Sequence, residues 1–375
     1  MPHPGTNHNG KPTLTMIALR HFKWSMLISL VAIAAGYFYG GWAAVFLVVI
    51  LGIMEVTLSF DNAVVNARVL EKMSLFWQRM FLTVGIVIAV FGMRLIFPLA
   101  IVSVTTGLSF AEVITLALEK GDPHQVGTFG HYLHDAHPQI AAFGGVFLLM
   151  LFLDFIFEKR EITWLSWLEK PLGKLGSVPN LSYVVVLGAL LAATAVAHEP
   201  LVVLTAGIFG LITYVLVGGL GELFDTGDDD EDEAAEPAVR GVGKQVGKAA
   251  FFSFLYLEVL DASFSFDGAI GAFAITADPI LIALGLGIIG AIFVRSLTVF
   301  FLRQGTLDEF PFLDHGAHWA IGALATILLV SIVAPVPEVI TGLIGMAFII
   351  SAFVTSIVRN KREAKASAAA VEVSA

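Results

Sequence analysis

The chain has 375 residues, of which 57% are hydrophobic and only 14% charged, with a formal net charge of −10 and no cysteine. A soluble domain carries about 25% charged residues, so this composition excludes an ordinary soluble fold and describes a protein that lives in lipid. The missing thiols exclude disulfides and thiolate metal centres, and no nucleic-acid partner is expected.

A helix needs about 20 apolar residues to cross a bilayer. After a cytoplasmic tail over 1–23, ten candidate spans follow in chain order, at about 24–40, 42–65, 80–104, 139–158, 181–197, 200–220, 249–272, 279–302, 318–334 and 336–358. Lipid offers the backbone no partners, so these segments are expected to be helices: an all-α, polytopic membrane protein. Tight turns at Gly40-Gly41 and His198-Glu199-Pro200 separate the closest neighbours, and the stretch 181–220 is too long for one span. Arg20 and Lys23 make the first segment resemble a signal peptide. Cleavage would remove a helix that the repeat below requires, so the segment reads as a retained span. The run Asp228–Glu233, in a loop of about 222–247, reads as a solvated, disordered connection, as does the alanine-rich tail Lys365–Ala375. A weak cation-collecting role is the alternative for the acidic run.

Charge placement tests the span count. With a cytoplasmic N-terminus, 18 of the 21 basic residues fall on the cytoplasmic side, and the other side receives only Lys120. Arg94 and Arg295 remain within spans. The asymmetry predicts N-in, C-in insertion. A bacterial inner membrane is the expected location.

Two motifs repeat 206 residues apart: Glu55-Val56-Thr57-Leu58-Ser59-Phe60-Asp61-Asn62 and Asp261-Ala262-Ser263-Phe264-Ser265-Phe266-Asp267-Gly268. Each sets a carboxylate six positions before a shared Asp, inside an apolar segment. A carboxylate at the bilayer centre costs several kcal/mol, ~2.5–3.5 on insertion scales, so four at matched positions read as a site. Each motif is followed by a span with one arginine, Arg94 or Arg295. Further on, Gly127-Thr128-Phe129 and Leu133-His134-Asp135 are echoed by Gly305-Thr306-Leu307 and Leu313-Asp314-His315. Five spans per repeat is odd, so the halves, 24–198 and 199–358 ahead of a tail over 359–375, must cross in opposite senses. A 5+5 inverted repeat is a signature of secondary transporters, with the substrate near mid-membrane.

On an ideal helix six positions turn about 600°, so the paired carboxylates share a face only if the helix is distorted. Ser59, Asn62, Ser265 and Gly268 offer places for a break. Glu258, Asp261 and Ser265 lie on one face. Carboxylates, an amide and hydroxyls make a hard-oxygen site suited to Mn²⁺, Mg²⁺ or Ca²⁺. Arg94 and Arg295 are candidate counter-charges, balancing the empty site or occupying it in alternation with the cation. The bland alternative is that acids and arginines pair to lock helices together. His134 and His137 on one side, with His131 and Asp135, and His315 and His318 on the other, are either plain loop residues, entry and exit sites, or pH sensors. Asp154 and Glu158 read as interfacial acids, and His198-Glu199-Pro200 as a turn.

At Glu55, Leu58-Ser59, Asp61-Asn62, and again at Asp261, Phe264, Asp267, Ala274-Ile275-Thr276 and Asp278-Pro279, the chain resembles the TerC family of integral membrane proteins, within the wider LysE-like transporter group. Coverage is good over about 50–100 and 255–305. The chain departs from the pattern at Gly268, where Ser is usual, and at Ile270, near an expected Pro. The histidine insertions and acidic loop suit a TerC-related bacterial branch of undefined function. The resemblance implies divalent metal export, above all of Mn²⁺, an association with tellurite resistance, and Glu55, Asp61, Asn62, Asp261 and Asp267 as ion ligands. Mn²⁺ or another divalent cation would be substrate, with no permanently bound cofactor. No nucleotide motif, nucleophile–base pair or zinc-protease motif stands out, so proton or sodium exchange is expected rather than ATP hydrolysis or enzymatic activity. A carrier of another small cationic solute, such as a cationic amino acid, and a non-transporting membrane scaffold in metal or tellurite stress remain as alternatives.

Overall fold

In the computed structural model, described over residues 14–225, 245–303 and 309–374, every regular element is a helix. The side chain of Asp267, the acidic run Asp228–Glu233 and the Gly305-Thr306-Leu307 echo lie outside the described residues. Helix α1 (Leu14–Leu58) leaves helical geometry at Gly40 and at Gly41, whose φ of 66° is a left-handed conformation suited to glycine. The chain folds back there. A Cβ on Gly36 would stand 3.2 Å from Val48 Cγ2, whereas a straight helix would hold those positions about 18 Å apart.

The remaining helices are α2 (Phe60–Lys72), α3 (Leu75–Thr106), α4 (Phe110–Leu118), α5 (Phe129–Asp135), α6 (His137–Phe157), α7 (Ser166–Leu175), α8 (Leu181–Val196), α9 (Pro200–Asp225), α10 (Gly247–Ile275), α11 (Pro279–Leu302), α12 (Leu313–Ser331) and α13 (Glu338–Ser374). Among the described residues eight helical stretches are long and apolar enough to cross a membrane, with α1 from Phe22 taken as one. Helix α8, 16 residues and apolar, is shorter. Large apolar side chains cover the exterior, with Phe38 86% and Val104 84% exposed. A soluble monomer rarely tolerates such continuous apolar surface, whereas a bilayer accepts it. The protein is a polytopic, helical membrane protein.

Helix α6 is the central post. Its Phe147, Leu148 and Met150 are fully buried, and it packs against α9, α10 and α12. Helix α1 lies along α11, and α12 packs on α13. Two sets of contacts mark the ends of the bundle. At one, Lys120 Nζ, Tyr39 and Asp278 meet, with 2.7 Å between Lys120 and Asp278 and 3.0 Å from the Tyr39 hydroxyl to Asp278. Burial alone would raise the Asp278 pKa, but hydrogen bonds from Lys120, Tyr39 and the Ile280 N–H hold it below its ordinary value. At the other end Arg68 faces Asp314 at 3.6 Å, Ser74 N donates to Gln245 O, and Trp164 Nε1 donates to Thr355 at 2.9 Å. These pairings join loops that the charge pattern assigns to a common side.

Three features differ from the sequence expectation. The first motif breaks at Ser59, between α1 and α2, but α10 runs unbroken through Ser265 and Gly268. The distortions appear instead as π-helical turns in the arginine-bearing helices, over Phe81–Gly85 and Ile88–Ile96 in α3 and Ala283–Gly290 in α11. Such turns often accompany functional sites. Finally, the tail expected to be disordered continues α13 to Ser374, in keeping with the high helix propensity of its Ala, Glu and Lys residues.

Candidate ion site

Four elements build a polar centre inside the apolar bundle. The last turn of α1 supplies Glu55, the first turns of α2 supply Asn62 and Asn66, α3 supplies Arg94, and α10 supplies Glu258 and Asp261. None of the six is more than 5% exposed. The guanidinium of Arg94 bonds the Glu55 carboxylate through Nη2. Its Nη1 donates to Ala89 O at 3.0 Å and lies 4.0 Å from Asp261 Oδ2. That acceptor is a carbonyl in the π-helical stretch of α3, so the irregular backbone helps aim the cation. Ser59 Oγ donates to Glu55 Oε1 at 2.6 Å, and Asn62 Nδ2 donates to Asp261 Oδ1 at 2.6 Å. The last bond joins the two sequence motifs directly.

Glycines let the backbones close on this centre. A Cβ at Gly290 would stand 2.0 Å from Glu55 Cγ, and one at Gly268 would stand 3.0 Å from Glu55 Oε2. The serine expected at position 268 would therefore press on the Glu55 carboxylate. A Cβ at Gly85 would stand 2.5 Å from Glu258 Oε1.

Next to the ion pair is a cavity of about 30 Å³, lined by Arg94, Glu258, Asp261, Asn66, Arg295 and Thr298 among others. That is room for a water or two, or for a small ion. Several buried polar atoms have no hydrogen-bond partner: both oxygens of Glu258, Asp261 Oδ2, Asn62 Oδ1, Asn66 Oδ1 and Ser265 Oγ. Buried oxygens left without donors are costly unless a water or cation meets them. Their chemistry, acceptors only apart from the serine, suits a hard cation.

The other predicted residues are distributed differently. Asp61 is buried but turns to α13, where a Cβ on Gly345 would be 3.9 Å from its Oδ2, and its Oδ1 accepts the Asn62 N–H at 3.0 Å. Arg295 Nε donates to Leu82 O at 2.9 Å. Among the described residues no three His, Asp or Glu side chains stand together as a ready metal cluster. Arg94 instead occupies the position between Glu55 and Asp261.

The histidines are not part of this centre. His134 and His137 stack at 6.5 Å at the end where His137 also meets Ser331, and with His131 and His198 they border a cavity of about 470 Å³. His315 lies 3.0 Å from Glu169 and His318 lies 3.4 Å from Asp314, at the opposite end. Sequence reasoning missed Asn66, although its position four residues after Asn62 places both amides on one helical face. It also missed Glu169, which is 5% exposed and accepts from Trp164 N, Leu165 N and Trp319 Nε1. Burial pushes the Glu169 pKa up, but bonds from His315, Trp319 and Leu165 outweigh it and hold the carboxyl below its ordinary range.

Residues 60–363 match the family described as a protein of unknown function (DUF475), and the chain belongs to it. No curated protein and no solved structure matched.

Proposed function

We propose that this chain is a secondary transporter that exports a divalent metal cation, with Mn²⁺ the ion its TerC resemblance points to. The supporting observation is the buried set of Glu55, Asn62, Asp261 and Glu258 around one arginine. In the resting state Arg94 supplies the positive charge that Glu55 and Asp261 require. An entering cation would replace it, and withdrawal of Arg94 toward the Glu258 side would free both carboxylates. Asp61 would join as a ligand in a second conformation, and Asp267 is a further proposed ligand. Proton or sodium exchange would return the site to its empty form. Ten spans in a 5+5 inverted repeat, inserted N-in and C-in in a bacterial inner membrane, complete the reading. The fold-back of α1, the short α8 and the meeting of like-sided loops support it.

The size of the cavity, about 30 Å³, favours an ion over a cationic amino acid. The test is flux in proteoliposomes across Mn²⁺, Ca²⁺, Mg²⁺ and Zn²⁺, with and without a pH gradient. Mn²⁺ movement that responds to an opposing gradient is expected. Movement of lysine or arginine without metal flux would establish the other carrier, and no flux of any kind would establish the scaffold.

A further inference from the structure

The cytoplasmic-side end, as the charge pattern assigns it, holds another cavity, lined by charged side chains, that the ion centre does not use. Its volume is about 360 Å³, and it lies where α7 folds beneath the end of α6. A Cβ on Gly176 would stand 2.0 Å from Phe157 O, so the chain just after α7 is pressed against the last turn of α6 and fixes one wall. Four cationic side chains line the cavity: Lys159, Arg160, Lys170 and Lys174. Two acids line it as well, but both are engaged. Glu158 bonds Arg160 at 2.5 Å, and Glu169 is held by the Trp164 and Leu165 N–H groups, Trp319 and His315. Among the described residues no carboxylate lies within 4 Å of the Lys159, Lys170 or Lys174 ammonium groups. The formal charge of the lining is +2, from four cations less two carboxylates.

The surroundings identify the source of a matching anion. Helix α7 has ten residues, too few to cross a bilayer, with Glu169 and Gly173 on its buried face. Around it Trp167 is 75% exposed, Leu175 52% and Ile162 42%. Outward tryptophan and aliphatic side chains beside lysines are the pattern of a helix lying in the headgroup layer. Phe155 and Ile156 give the cavity an apolar wall beside its cations. Lipid phosphates therefore lie at the depth of the lysines, and basic pockets on a cytoplasmic face suit anionic headgroups.

The geometry points to a binding site for the phosphate of an anionic phospholipid, held by Lys159, Lys170 and Lys174 between α6 and α7, with Arg160 at its edge paired to Glu158. It does not depend on the transport reading.

The test uses the full chain in nanodiscs of phosphatidylcholine with graded phosphatidylglycerol, counting retained lipids by native mass spectrometry after partial delipidation. Wild type is expected to retain phosphatidylglycerol over phosphatidylcholine. K170Q/K174Q is expected to lose roughly 30-fold in that preference, about 2 kcal/mol at 1.4 kcal/mol per decade, from two lysines near an anionic surface. Its melting temperature in pure phosphatidylcholine serves as the folding control. Should the double variant fail that control, K159Q alone is expected to lose roughly fivefold. An unchanged preference in the folded variants, or none in wild type, overturns the site. Displacement of the retained lipid by inorganic phosphate alone would also overturn it, by assigning the cavity to a soluble anion.

Discussion

Replacing Arg94 by Met removes the cation that bonds Glu55 while keeping most of the side-chain volume. At 4.0 Å and an effective dielectric of about 20, attraction between Arg94 and Asp261 is ~4 kcal/mol before desolvation is subtracted. The Glu55 contact is closer and more buried. Removing one member of a buried pair costs ~3–5 kcal/mol, because the other charge stays in the interior without compensation. R94M is therefore expected to destabilise by that amount in equilibrium unfolding in mixed micelles. E55Q in the R94M background removes the stranded charge and should restore part of the loss, giving a coupling of ~0.5–3 kcal/mol. A single-variant loss below ~1 kcal/mol, or purely additive effects, would refute the view that this pair is an obligatory internal neutralisation.

Two further perturbations probe the same frame. G290A places a carbon 2.0 Å from Glu55 Cγ, where ordinary carbon contacts are about 3.5–4.0 Å. A loss of ~1–3 kcal/mol from overpacking is expected, together with weaker metal affinity, read by unfolding and by equilibrium Mn²⁺ binding. The second is pH dependence. Because the Glu169 carboxyl is held below its ordinary pKa, its contribution is present above about pH 4.3 and is lost as pH falls through the lower folded value. E169Q should therefore flatten the acid limb of melting temperature against pH and lower stability at neutrality; an unchanged acid limb would count against the assignment.

Much of this architecture was legible in the sequence because lipid makes apolar length and basic asymmetry decisive. Helices α6 and α11 begin and end within two residues of their expected bounds. The motif echo also led to contact, since Asn62 and Gly268 bring the two motifs together at Asp261 and Glu55. What the sequence concealed depends on packing. Nothing local distinguishes Ser59, where the helix breaks, from Ser265, where it does not. The π turns of α3 and α11 pack on one another across the bundle, a long-range contact with no local mark in the sequence. Asp61 lies against Gly345, 284 residues later, a neighbour no local pattern announces. Glu169 reads in isolation as one more solvated acid on an amphipathic helix, and only Trp319 and His315, far along the chain, show why it is buried.

The most direct test of the central claim is Mn²⁺ flux through D261N in proteoliposomes, beside wild type reconstituted at equal density and melting at a similar temperature. Asparagine keeps the shape at 261 and removes the charge that Asn62 and Arg94 now address. The account predicts measurable flux in wild type and at least ~100-fold less in D261N, about 2.7 kcal/mol of lost cation stabilisation. Equal flux in the two proteins would contradict it.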